Sequence, residues 1–471
     1  MLSMHLGEAL FLEGVSQYLK AHAFANAETT DLWRALADVS GEDISTMMST
    51  WTTNVGYPIL TVTELEIDGI IHIEQNRYLR SGPPKPEEDK VIWPVFLNIR
   101  TNENDHDPAL FNSRTTEIKL PASDFYKLNT EHTGVYRVLY PPSRVAKLAE
   151  AARTEKLSAA DRSGLLFDAV SLTQSGHQSL TVTFDLAQAL SEDSSSFVWQ
   201  AQTKWYNALQ AAFMCSDDRI KAGIVKAQRT VYSNKSQKLR PGVGQVNGVV
   251  DAQFEENIFL GAGLSGDKAT IESAERMFYD FADGYSRDAI PLDLRAAVFK
   301  VILHQQHHHS MYDYDVVTAE FEVVATTAGE RAIAASALGY SRLPASIKRS
   351  IALILEPGKT NLGEIINVLL GLSTHVEGNV ALLDSIMNNF DAWKNRFGVG
   401  LGGLAFVLPM LLGGFATFEH ADQLEAFFKK QDMRGNEREL AQALEEIRIK
   451  TAWAERDGPA LLSWLESNGF V

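Results

Sequence analysis

The residues best placed to do chemistry gather at 304–309, His304-Gln305-Gln306-His307-His308-His309, where His304 and His308 would share one face of a helix at i, i+4. Two imidazoles at that spacing can ligate a metal ion. Hydrolysis needs more, because HExxH places a glutamate between its two histidines as general base, and no carboxylate lies in this run. The cluster is read as a solvated helix end, with a residual metal site at His304 and His308 as the competing expectation. Cys215 is the single cysteine, so no intrachain disulfide forms, and without a nucleophile or CxxC pattern it is read as a buried structural thiol. Asp217 and Asp218, Glu255 and Glu256, and Glu445 and Glu446 sit on predicted helices, where one neighbour of each pair normally faces water. Charge-lined faces are expected there, not carboxylates sharing a proton. Gly242, Gly244 and Gly248, like Gly261, Gly263 and Gly266, complete neither GxxxxGK[ST] nor a strand followed by GxGxxG, and are read as turns. No GxSxG elbow occurs. No catalytic or metal-ligating residue is assigned, and no cofactor is expected in this chain.

The elements around these residues change period along the chain. Leu2, Leu6, Leu10, Phe11, Val15, Tyr18 and Leu19 recur at helical spacing, predicting one amphipathic helix over residues 1–20. Thr30 caps a second helix over 31–39, with Trp33, Leu36 and Val39 inward and Gly41 as its stop; a third runs from Asp43 to Thr53. Beyond Pro58, β-branched and aromatic runs at 59–65, 70–76, 91–99, 115–120 and 135–140 predict a small sandwich of five to seven strands. Asp68-Gly69 marks a hairpin, 81–89 and 102–108 exposed loops, and Pro94 an edge strand or bulge. From Pro141 onward apolar residues recur every three or four, predicting helices at 144–152, 159–173, 182–189, 196–213, 218–231, 251–261, 268–282, 292–304, 316–325 and 328–340, and across most of the chain after Ser346. Stacked helical hairpins of a HEAT/armadillo-like superhelix fit that pattern better than one bundle.

Composition narrows the partners. With 60 acidic against 43 basic residues the net charge is -17, which repels nucleic acid and anionic membranes. Residues 397–418 carry no charge, but glycines and Pro409 interrupt them, so a buried, glycine-broken helix pair is expected and not a membrane span. The N-terminus has no secretory leader pattern, and a lone cysteine suits a reducing, cytoplasmic setting.

Several stretches resemble the zinc aminopeptidases of the gluzincin family, the puromycin-sensitive and fungal alanine/arginine type. LSMHLGEALFLEGVSQYL at 2–19 resembles the helix that follows the family's active site, continued by HAFANAETTDLW at 22–33 and WTTNVGYPILTV at 51–62. NTEHTGVYRVL at 129–139 resembles its last sandwich strand, DRSGLLFDAVSLTQSG at 161–176 the opening of its helical domain, and 413–428 with 447–465 its closing helices. The resemblance implies a mainly α fold with a small all-β domain: 1–54 as the last helices of a thermolysin-like domain, 55–140 as β-sandwich, and 141–471 as an ERAP-like helical domain. It also implies that the GxMEN loop, the HExxH zinc site with its later Glu, and the oxyanion Tyr lie upstream of Met1. The expected function is the non-catalytic C-terminal module of such an enzyme, capping its active-site chamber and helping bind peptide, with the N-terminal catalytic half and peptides as partners and zinc held by the parent enzyme. A free-standing helical scaffold for peptide or protein binding is the alternative. No peptide-contacting residue is singled out.

Overall fold

One helix over residues 1–20 is not what forms. Gly7 adopts φ 80°, which L residues rarely reach, and splits the segment into α1 (Leu2–Leu6) and α2 (Glu8–Ala21). Helix α3 (Thr29–Ser40) starts earlier than a Thr30 cap would give, because the Glu28 N–H donates to the Asp31 carboxylate at 2.9 Å; it ends, as expected, on a left-handed Gly41. Asp43 caps α4 (Ile44–Thr53), accepting from the Thr46 N–H at 3.0 Å. The structure, a computed structural model, describes residues 1–65, 69–102, 105–121, 123–239, 249–284, 287–305, 311–398 and 403–471. They divide into two compact units, Met1–Ala201 and Gln202–Val471.

In the first unit the sandwich strands are β1 (Pro58–Glu64), β2 (Ile70–Arg77), β3 (Val95–Thr101), β4 (Asp105–Phe111), β5 (Thr115–Lys119), β6 (Tyr126–Leu128) and β7 (Arg137–Leu139). Among the described residues they form a four-stranded sheet, β5-β2-β1-β7, and a three-stranded sheet, β4-β3-β6. β1 and β2 make the predicted hairpin, with Thr61 opposite Glu74 and Gly69 at φ 77°; Asp68 lies outside the described residues. Two expectations fail. The segment 102–108, read as an exposed loop, becomes strand from Asp105 and pairs antiparallel with β3, Val95 opposite Phe111. Its polar Asp-His-Asp-Pro hides the period-2 signal, and its edge position tolerates Pro108. Pro94 sits neither on an edge strand nor at a bulge; it precedes central β3, and its carbonyl accepts from Trp51 Nε1 at 3.0 Å. The loop 81–89 forms as expected, held where Asp89 accepts from the Arg77 N–H at 2.6 Å and pairs with Arg114 at 2.9 Å. Leu2, Leu6, Leu36, Ile44 and Met48 close around Phe96, joining the N-terminal helices to this sandwich.

Helices α5 (Pro142–Arg153), α6 (Ala159–Gln174) and α7 (Leu180–Ala189) complete the first unit up to α8 (Ser196–Phe213). The second unit continues with α9 (Asp218–Leu239), α10 (Val249–Leu264), α11 (Lys268–Ala282), α12 (Arg295–Gln305) and α13 (Tyr312–Ala319), which runs into a π-helical turn at Glu320–Val324. It ends with α14 (Ala328–Leu338), α15 (Pro344–Leu355), α16 (Leu362–Leu372), α17 (Val376–Phe397), α18 (Leu404–Leu412), α19 (Phe418–Phe428) and α20 (Glu437–Ser467). Short polar residues set the breaks: Asp267, Thr327, Asn361 and Thr417 each accept an N–H from the first turn that follows. Alternate helices stack, α10 on α12, then α14, α16, α18 and α20, while α9 touches both α10 and α20 and closes the circuit. Where these helices end, side chains from neighbouring helices satisfy their last carbonyls: Gln305 reaches Gly263 at 2.8 Å, His375 Gly339 at 3.1 Å, Asn379 Ser373 at 3.2 Å, and Lys450 Gly413. The uncharged stretch 397–418 holds one described helix, α18, instead of a pair, buried except for exposed Phe406 and Pro409 and half-buried Met410. Among the described residues no helix is long and apolar enough to cross a membrane.

Candidate functional site

The structure redistributes the residues singled out for chemistry. His304, at the end of α12, is half-buried, with its Nδ1 sealed from solvent and without a hydrogen-bond partner among the described residues. Burial, then the charges of Arg342 and His375, pull its pKa down to about 4, against a smaller upward pull from Glu377. His308, like His307 and His309, lies outside the described residues. A hydrolytic metal ion needs about three protein donors and an open position. His375, beside His304, has both nitrogens committed, Nε2 to the Gly339 carbonyl at 3.1 Å and Nδ1 to the Gly378 N–H at 3.0 Å. Among the described residues no three His, Cys, Asp or Glu side chains converge on a point that could hold a metal ion.

Cys215 is exposed, not buried; desolvation by its surroundings still pushes its thiol pKa up, against the pull of Lys221 and Lys450. Asp217 accepts from the Arg219 N–H at 2.8 Å as the cap of α9, and Asp218 pairs with Lys221 at 2.7 Å. Glu255 and Glu256 are both half-buried, and burial raises Glu256. Glu445 is exposed and Glu446 half-buried. Gly242, Gly244 and Gly248 are outside the described residues. Gly261 and Gly263 lie inside α10 and are not turns: a Cβ there would come within 2.1 Å of the Tyr232 ring and 2.4 Å of Val301. Gly266 does turn, at φ 88°.

What stands out is a surface. Gly14 of α2 packs so close to α3 that a Cβ would fall 2.7 Å from Leu36 Cδ2, which fixes the inward face of α2. Leu12 and Leu19, seven residues apart and so on one side of the helix, are 55% and 61% exposed, with half-buried Val15 between them. Leu10 is exposed as well, so the row expected to pack as one apolar face lies partly in water. Phe24 at φ 60° and Val55 are more exposed still. A contiguous apolar stripe flanked by polar residues is the mark of an interaction site.

A second cluster inverts that pattern. Asn129, Glu131 and His132 all adopt φ between 52° and 61° in a turn between β6 and β7. Each such residue stores on the order of 1–3 kcal/mol, so its surroundings must over-determine it. They do. Asn129 exchanges hydrogen bonds with Gly134, and the His132 ring lies where a Gly164 Cβ would be 2.4 Å away. Beneath the turn Asp161 is fully buried, with Lys127 Nζ at 2.8 Å and Arg100 Nη1 at 2.6 Å; Arg100 also reaches Glu131 at 2.8 Å. Burial lowers the Lys127 pKa against the attraction of Asp161. Asp168 takes Arg137 at 2.8 Å and the Val138 N–H at 3.2 Å. The motif residues of NTEHTGVYRVL and DRSGLLFDAV thus interlock as a structural hinge pin; spacing alone does not reveal it, because its ion pairs join residues about 30 to 60 apart.

Comparison with known proteins adds the context. The model described as "ERAP1-like C-terminal domain" matches residues 125–449, and that described as "Peptidase family M1 domain" matches residues 1–51. Among curated relatives, Aminopeptidase 2 of Candida albicans is 32% identical over all of this chain and half of its own length. Alanine/arginine aminopeptidase of Saccharomyces cerevisiae is 30% identical over all of this chain and 54% of its own. Aminopeptidase M1 of Arabidopsis thaliana is 26% identical over 97% of this chain and 52% of its own. The chain spans about half the length of the relatives it matches.

Proposed function

The chain belongs to the family of the ERAP1-like C-terminal domain, and with it to the M1 aminopeptidases, and from that premise we propose that it serves as the non-catalytic C-terminal module of a zinc aminopeptidase. In this reading residues 1–54 are the last helices of the catalytic domain, 55–140 the sandwich, and 141–471 the helical domain that caps the active-site chamber and helps hold peptide. Zinc and the residues that activate water belong to an N-terminal catalytic half, the partner this module needs, and the assembly works in the cytoplasm.

The observation that carries the reading is the stripe of exposed Leu12 and Leu19 with half-buried Val15 between them, which falls within the residues that match the M1 peptidase model. A free-standing scaffold would gain by keeping that face polar; a face that docks against further protein gains by keeping it apolar. Mixing the 471-residue chain with a separately produced N-terminal half of the Candida relative, followed by sedimentation velocity, tests it. A one-to-one complex that weakens in the Leu12→Ser/Leu19→Ser variant is expected. Two species sedimenting independently would count against the module and for the scaffold.

A further inference from the structure

A cleft of about 510 Å³ opens in the second unit where the start of α9, the start of α19 and one face of α20 come together. That volume suits a small organic ligand. Its depth comes from Gly458, which is buried in the middle of α20 yet would place a Cβ more than 4 Å from any neighbouring atom. Gly223, Gly261 and Gly263, other glycines inside helices of this unit, are crowded below 3 Å and so are explained by packing. Gly458 is not: an interior helical glycine costs on the order of 1 kcal/mol relative to alanine, and alanine would fit. What the glycine provides is empty space.

The polar groups around that space are acceptors. Pro459 has no N–H to return to the Glu455 carbonyl one turn earlier, so that carbonyl lacks its helical partner. The exposed Glu455 and Asp217, the cap of α9, both line the cleft. Four of the donors nearby are already engaged. Asp217 caps the Arg219 N–H, Thr417 caps the His420 N–H, Lys221 pairs with Asp218, and Lys450 donates to the Gly413 carbonyl. An anion here would meet the Glu455 and Asp217 carboxylates, whereas the Ser216 hydroxyl can accept as readily as it donates. Ile220, Ala416, Phe418 and Leu462 supply the apolar walls.

We propose that this cleft binds a small cationic amphiphile, a protonated amine on an apolar body, with the ammonium among Glu455, its own carbonyl and Asp217 and the body over Gly458. The protein supplies its own reporter, since Cys215, the only cysteine, lines the cleft and is exposed. The rate of Cys215 alkylation by iodoacetamide, read by intact mass on the full chain, should fall at saturating 4-phenylbutylamine. Neutral 4-phenylbutanol and anionic 4-phenylbutyrate should protect about tenfold less well, the difference of one charge-assisted hydrogen bond. Gly458→Leu should remove amine protection by filling the space, and Glu455→Gln, which keeps the helix surface, should level amine and alcohol. Equal protection by all three probes, no protection by the amine, or protection that survives Gly458→Leu in a protein of unchanged helicity would overturn the assignment.

Discussion

Two regions of the first unit break the ordinary rule of burial in opposite directions. Helix α2 leaves Leu12 and Leu19 in water, while the turn at 129–134 takes Lys127 and Asp161 out of it. The difference teaches how complete each region is. The charged cluster draws its ion-pair partners from within the chain, Asp161 with Lys127 and Arg100, Asp168 with Arg137, and Gly164 leaves room for the His132 ring. The apolar stripe leaves Leu12 and Leu19 uncovered by the described residues, as a docking face would be.

The comparison breaks first at Asp161. Asp161→Ala leaves buried Lys127 and half-buried Arg100 without their shared carboxylate, and a loss of about 3–5 kcal/mol is expected in urea unfolding followed by far-ultraviolet circular dichroism. A loss below ~1 kcal/mol would mean the cluster is not self-contained.

His304 gives the next effect, through pH. Its folded pKa of about 4 lies below the ordinary value of 6.5. As pH falls through 6.5 the unfolded chain takes up a proton that the folded chain refuses until about pH 4, so stability drains across that window and is fully present only above it. The loss should approach about 2–3 kcal/mol by pH 4 relative to a His304→Leu variant, which carries nothing to protonate there. Parallel stability-pH curves for the two proteins would contradict the sealed nitrogen.

Gly14→Val sharpens the contrast from the other side of α2, because its side chain must displace Leu36; about 1–3 kcal/mol of overpacking cost is expected in the same unfolding assay. Leu12→Ser and Leu19→Ser, on the opposite face, should each change stability by no more than about 0.5 kcal/mol. A large loss from either would show that the stripe packs within this chain.

How much of this was legible in the residues depends on where the information sits. Helix starts at Asp43, Lys268 and Ala328, and the stop at Gly41, follow from local capping, so they were readable along the chain. The break at Gly7 was missed because apolar spacing continues through it, and β4 because its polar residues on an edge mimic a loop. The exposed stripe was half legible: Leu19 was assigned to an inward face, since periodicity says that a face is apolar but not what covers it. Neither His304, half-buried with one sealed nitrogen, nor the exposed Cys215 has the expected environment, because burial at a helix end is decided by elements far along the chain. The quoted motifs flagged the 129–168 cluster by resemblance; the reason those residues occur together appears only once the left-handed turn and Asp161 are seen side by side.

The central claim is that this chain supplies structure and a docking face while the activated water of peptide hydrolysis comes from elsewhere. It is tested most directly by assaying the purified 471-residue protein with added zinc against alanine 4-nitroanilide, alone and with the N-terminal half of the Candida relative. The account predicts no release of nitroaniline by the chain alone and chelator-sensitive release by the mixture above that of the half by itself. Chelator-sensitive turnover by the chain alone would contradict it.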